Sequence, residues 1–137
     1  MKNIINELYK LAEERLNKEY PEGWGCMCAV YTNEDHIYFS KYFESISESA
    51  ALCFETGTIL EAFNNNEKIT HSISLIRNEN SKEINVVVPC GICQERLYTF
   101  GEGVNIIYRD EKTQNLKTIT LKELNPYHWY DLYRDLE

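Results

Sequence analysis

From the start of the chain, apolar residues recur every three to four positions. Ile4, Leu8, Leu11, Ala12 and Leu16 fall on one face of a helix that Asn3 is placed to cap. Pro21, Gly23 and Gly25 end that pattern. Residues 26–31 are short and apolar enough for a strand covered on both sides, residues 32–35 (TNED) read as a turn, and residues 36–44 (HIYFSKYFE) as a second strand, so the two form a hairpin. Ser49 precedes a helical stretch, AALCFETGTILEAF, which Asn64 to Asn66 stop. Residues 70–76 alternate like a strand, with Ile73 and Leu75 on one face. A polar loop (78–83) and an extended piece (85–88) follow, and Pro89 opens a helix to about Phe100, stopped by Gly101 and Gly103. Residues 104–108 and 116–120 are strands, and Thr120 begins a last helix, TLKEL, that Pro126 breaks. Helix, hairpin, then strands alternating with helices predict an α/β fold: a three-layer α/β/α sandwich around a mixed five-stranded sheet.

Composition narrows this picture. The chain of 137 residues, 43% hydrophobic and 26% charged, suits a single globular domain (1–137) with a real core. The first residues, MKNIINELYKLAEERL, hold no unbroken apolar run, and no stretch nears the roughly 20 apolar residues of a membrane span, so no membrane association is expected. The net charge is −8, and the 14 Lys and Arg are scattered. A nucleic-acid polymer needs a cationic face to displace its counterions, and none is evident, so a small molecule is the expected partner. Five cysteines, an odd number, fit thiols or metal ligands better than disulfides and point to the cytoplasm.

Those cysteines carry the chemistry. Cys90 and Cys93 stand in VVPCGICQE, and Cys53 in LCFETG. A lone Cys-x-x-Cys admits three readings: a zinc site, a redox pair at a helix N-terminus, or buried thiols. The third cysteine, near the start of another helix, favours zinc, because three thiolates converging at one end of a sheet make a tetrahedral site with its fourth position open. Glu55 follows Cys53 by two positions, about 200° around a helix axis. That excludes it as a ligand of the same ion but leaves it within reach of a water there, able to take a proton and pass it on. Cys26 and Cys28 share one face of a strand and read as core. His36, His71 and His128 have no partner at ligand spacing and read as non-catalytic. The aromatic tail YHWYDLY reads as packing or as a subunit interface.

Cys-x-Glu followed by Pro-Cys-x-x-Cys is the signature of zinc deaminases. The chain resembles the cytidine deaminase superfamily, in particular its small three-cysteine members, which include cytidine deaminases and blasticidin S deaminases. LCFET matches the family's Cys-Ala-Glu segment, and VVPCGICQERL its Pro-Cys-Gly-x-Cys helix, Gly91 included. WGCMCAVYT aligns with the first strand and KTITLKELNP with the closing segment. The resemblance implies an α/β/α fold, a homo-oligomer (tetramer or dimer) and Zn²⁺. It implies hydrolytic deamination of a cytosine-containing nucleoside or analogue, of the cytidine/deoxycytidine or blasticidin S type, with release of ammonia. Carried over, Cys53, Cys90 and Cys93 hold zinc and Glu55 shuttles protons. Trp24 falls on an aromatic lining the base pocket, and Glu44 on the acid that binds the sugar hydroxyls.

Four departures stand out. Tyr42 replaces an Asn of the ribose grip, and Phe54 replaces a small Ala, filling space where the substrate sits. Thr56 and Gln94 replace arginines, leaving Arg96 as the nearest local cation. Zn²⁺ on three thiolates carries a net −1, which raises the pKa of bound water unless helix N-termini or cations offset it. Two alternatives follow: a zinc-binding member of the fold that binds a nucleoside-like ligand without turnover, and a thiol–disulfide protein using Cys90 and Cys93.

Overall fold

The computed structural model describes residues 3–132. Helix α1 (Ile4–Glu19) starts at Asn3, whose side chain accepts from the Asn6 N–H, and buries Leu8, Ala12 and Leu16. Strands β1 (Gly25–Thr32) and β2 (Ile37–Ser40) form the expected antiparallel hairpin, with Cys28 opposite Ser40. Helix α2 (Thr56–Asn64) leads to β3 (Ile69–Arg77), which turns back into β4 (Ile84–Val87). Helix α3 (Gly91–Leu97), β5 (Asn105–Arg109), β6 (Leu116–Thr120) and α4 (Leu121–Leu124) complete the fold. Thr120, expected to begin this last helix, caps α4 in a full capping box with Glu123.

The sheet is mixed and runs β2-β1-β3-β5-β6. A sixth strand joins the five expected ones, because β3 divides one of its edges. Its first half pairs in parallel with β5 at His71 and Ser72, and its second half pairs antiparallel with β4 from Ser74 to Arg77. The strand period of two sends alternate side chains to opposite layers. Met27, Ala29, Ile73, Leu75 and Ile107 meet α1, whereas Cys28, Val30 and Ile106 meet α2, α3 and α4 through Ile59, Ala62, Cys93, Leu97 and Leu121. This is the three-layer α/β/α arrangement. Each fully buried Leu or Ile contributes about 1.5–3 kcal/mol to it.

Three boundaries differ from the periodicity. The second strand stops at Ser40, and beyond it Phe43 and Leu52 form an isolated bridge. That bridge commits the backbone of Leu52 to an extended pairing, so α2 begins at Thr56 and leaves Cys53, Phe54 and Glu55 ahead of it; only a single 3-10 turn forms at Glu48–Ala50. Pro89 sits one residue before the N-cap of α3 instead of inside the helix, and α3 tightens to a 3-10 turn at Tyr98–Phe100 before Gly101 closes it at φ 106°. Among the described residues no helix is long and apolar enough to cross a membrane.

Candidate metal centre and active site

Strand register brings the cluster together. Ser74 of β3 lies opposite Val87, the last residue of β4, so the chain leaves the sheet beside Ser74 and reaches Cys90 three residues later. Cys90 is the N-cap of α3 and Cys93 lies in its first turn. Cys53 arrives from the other side, in the turn before α2, and Glu55 is the N-cap of α2. The ligand atoms of Cys53, Glu55, Cys90 and Cys93 all lie within 4.8 Å of one another. Glu55 and Cys93 are buried, Cys53 is half-buried and Cys90 is exposed, so the group opens to solvent on one side.

The expected separation of Cys53 and Glu55 across a helix does not hold, because neither residue is inside one. Glu55 precedes α2 at φ −86° and ψ −17°, and its carboxylate folds back onto the cysteines. Cys53 Sγ donates to Glu55 Oε1 at 3.1 Å, and Ser74 Oγ donates to Oε2 at 2.9 Å. Burial raises the Glu55 pKa against the lowering effect of the hydrogen bonds from Cys53, Ser74 and Cys93.

The same burial, reinforced by the Glu55 charge, pushes the Cys53 thiol up to about 11 and the Cys93 thiol further in the same direction. A redox cysteine has the opposite property, a thiolate made accessible by a lowered pKa, which neither Cys53 nor Cys93 has. Three thiols held together at one point are a soft donor set. They fit Zn²⁺, with Cys53, Cys90 and Cys93 as ligands and the solvent side open.

Trp24, 45% exposed, packs edge-on against Tyr20 at 5.9 Å and Tyr42 at 6.4 Å. Tyr42 lines a recess of about 290 Å³ together with Phe43, Leu52, Cys53, Thr56 and Leu60, so Trp24 contacts a residue of the recess that Cys53 also lines. Phe54 packs against the core on the α2–α3 side, and Glu44 is exposed beyond β2. Arg96 Nη1 donates to Thr56 Oγ1 at 2.9 Å, so the nearest local guanidinium binds the residue next to Glu55.

Cys26 and Cys28 are fully buried core residues, as their strand position predicts. His36 bonds Glu67 at 2.8 Å, His71 bonds Thr70 at 3.0 Å, and neither joins the cluster. His128 stacks on Tyr98 at 3.8 Å and bonds Glu95 at 2.7 Å, while Trp129 Nε1 donates to the other Glu95 oxygen. His128 and Trp129 of the aromatic tail therefore pack on α3 and the turn after it, whereas Tyr127 is exposed; Tyr133, its last residue, lies outside the described residues. Periodicity did not single out Ser74, Ser40 or Arg77. Ser72 and Ser74 alternate with Ile73 and Leu75 on a strand buried on both faces, and a buried serine face is the signal that marks the Glu55 partner.

No family model matches the sequence, and no curated protein matches it. Among solved structures, the cytidine deaminase from Bacillus anthracis is 40% identical, with a TM-score of 0.92 over 98% of this chain and 95% of that one. The cytidine deaminase from Mycobacterium leprae is 20% identical (TM-score 0.67, 92% of this chain, 99% of that one), and that from Burkholderia pseudomallei is 15% identical (TM-score 0.69, 94% and 100%). The likeness to these last two is one of fold. At 40% identity over nearly the whole of both chains, and with three thiols and a carboxylate gathered at one point, the chain belongs to the cytidine deaminase family.

Proposed function

We propose that this protein is a zinc-dependent hydrolase that removes the amino group of a cytosine-containing nucleoside or nucleoside analogue and releases ammonia. The observation that carries the reading is the convergence of Cys53, Cys90, Cys93 and Glu55 within 4.8 Å, in a chain 40% identical to a cytidine deaminase. Cys53, Cys90 and Cys93 hold the ion, which when bound acts as a Lewis acid that lowers the pKa of water. Glu55 takes one proton from the attacking water and delivers it to the ring nitrogen, then takes the second proton from the hydroxyl so added and delivers it to the departing amine. Its buried position suits it to that exchange, because desolvation brings a carboxylate's proton affinity towards the working range. Ser74 holds Oε2 and so fixes which oxygen faces the substrate. Trp24, edge-packed on Tyr20 and Tyr42, offers a flat face for the pyrimidine, Phe54 narrows the space beside the ring, and Glu44 meets hydroxyls of the sugar or sugar-like group.

Five free cysteines among the described residues support a reducing compartment, the cytoplasm. Leu60, Phe63 and Ile92 stand exposed on the helix layer beside the cluster, which supports assembly as a homo-oligomer, to be read from the solution mass. The function is tested by ammonia release from cytidine, deoxycytidine, cytosine and blasticidin S, with zinc content measured on the same sample. Release from one of them identifies the substrate. Silence on all four with one zinc per chain favours the member of the fold that binds without turnover.

A further inference from the structure

Ser40, at the end of β2, has been given no role above, yet it is bound on both sides at the entrance to α2. Its hydroxyl donates to the Phe54 carbonyl at 2.5 Å and accepts from the Thr58 N–H at 3.1 Å. Thr58 is the third residue of α2, one of the positions whose free N–H an N-cap side chain ordinarily satisfies. Here the N-cap is Glu55, and its side chain makes no capping bond, because Cys53 and Ser74 engage its two oxygens. An open N–H in the first turn competes for that carboxylate. The bond is charge-assisted, and the helix dipole favours it. Ser40 removes the competitor by filling it from a strand 18 residues away in sequence. Gly57 permits the approach, since a Cβ there would lie 2.6 Å from Ser40 Cβ.

We propose that Ser40 is a positioning residue for the reaction: by capping α2 from β2 and pinning the Phe54 carbonyl, it keeps the Glu55 carboxylate on the thiol cluster instead of on its own helix. The proposal rests on the assignment of Glu55 as the proton carrier. In the zinc-loaded full chain, Ser40→Ala lowers kcat tenfold or more, leaves KM within about twofold, and keeps one zinc per chain. Ser40→Thr, which retains the hydroxyl, restores most of the rate.

A second measurement does not depend on turnover. Amide exchange at Thr58 stays slow in Ser40→Ala, because Glu55 swings across to accept that N–H. It becomes fast in the double variant Ser40→Ala/Glu55→Ala. Three results overturn the proposal: a wild-type kcat in Ser40→Ala, loss of zinc together with kcat, or Thr58 exchange in Ser40→Ala as fast as in the double variant. A wild-type protein that turns over no substrate refutes the proposed function, and the exchange comparison still decides the role of Ser40.

Discussion

Replacing Arg77 with methionine tests how the aromatic rim is held. Arg77 ends β3 and is only 7% exposed. Its Nε donates to the Gly23 carbonyl at 2.8 Å, Nη1 to Asn17 Oδ1 at 2.7 Å, and Nη2 to the Tyr20 carbonyl. All three acceptors belong to the end of α1 or to the connection that carries Trp24 into β1, so one guanidinium ties that connection to the sheet. Methionine keeps the stem and deletes all three bonds. Bonds from a charged donor contribute about 1.5–3 kcal/mol each, and bonds sharing a single group are not additive. We expect a loss of about 2–4 kcal/mol, out of a total of about 5–15 kcal/mol for a domain of this kind. At about 4 °C per kcal/mol, the melting temperature falls by roughly 8–16 °C. Thermal unfolding of the zinc-loaded protein by circular dichroism reads this directly. Arg77→Lys serves as the comparison, because a lysine ammonium cannot span the three acceptors and recovers less than half of the loss. Trp24 loses its fixed seat against Tyr20 and Tyr42, so KM rises more than kcat falls. An unchanged melting temperature in Arg77→Met would refute the reasoning, since water would then serve the same carbonyls equally well.

Glu55→Gln keeps the shape of the side chain but cannot carry a proton. It should retain one zinc per chain and lower kcat by about 10²–10⁴-fold, and wild-type turnover removes Glu55 from the mechanism. Cys90→Ala deletes one of the three thiols. Its zinc content should fall to background, and its melting temperature should stop responding to added zinc, which metal analysis and a zinc titration check together. The His128 bond, followed by the Trp129 bond, holds the Glu95 carboxyl below its ordinary 4.5. A depressed carboxyl contributes stability that is complete above its unfolded value and is lost as pH falls through the folded one. The packing of the tail on α3 is therefore intact at neutral pH and loosens in acid below 4.5. In a Trp24→Phe background, where Trp129 is the remaining tryptophan, its emission should shift over that acid range.

Much of the architecture is legible in the sequence wherever a local pattern decides it. Asn3 and the stripe Leu8, Ala12, Leu16 define α1, the alternation of Ile73 and Leu75 assigns the α1 face of β3, and the capping box of Thr120 and Glu123 starts α4. What local pattern misses is pairing over distance. The bridge of Leu52 to Phe43 delays α2, and that delay moves Glu55 from a helix interior to an N-cap and turns its carboxylate onto Cys53. The divided edge of β3 follows from a strand pairing that hydrophobic periodicity does not encode. For the same reason the cysteine spacing reveals the metal ligands, while the residues that hold the site in shape stay hidden. Ser74, Ser40 and Arg77 act on partners 14 to 60 positions away, and each looks like an ordinary strand residue in the sequence.

The divided edge also makes the β3–β4 hairpin a place to engineer. β4 pairs with β3 alone, and residues 78–83 at its tip are all exposed and closed by a bond from the Asn78 N–H to the Glu83 carbonyl. A peptide tag or a small folded module spliced between Asn80 and Ser81 lengthens only this finger, and loop-closure entropy grows slowly with length. Because Val87 stays registered with Ser74 at the root of the hairpin, the splice leaves Cys90 and Cys93 where they are. The protein can thus display a foreign sequence at one rim of the sheet while its metal site keeps its geometry.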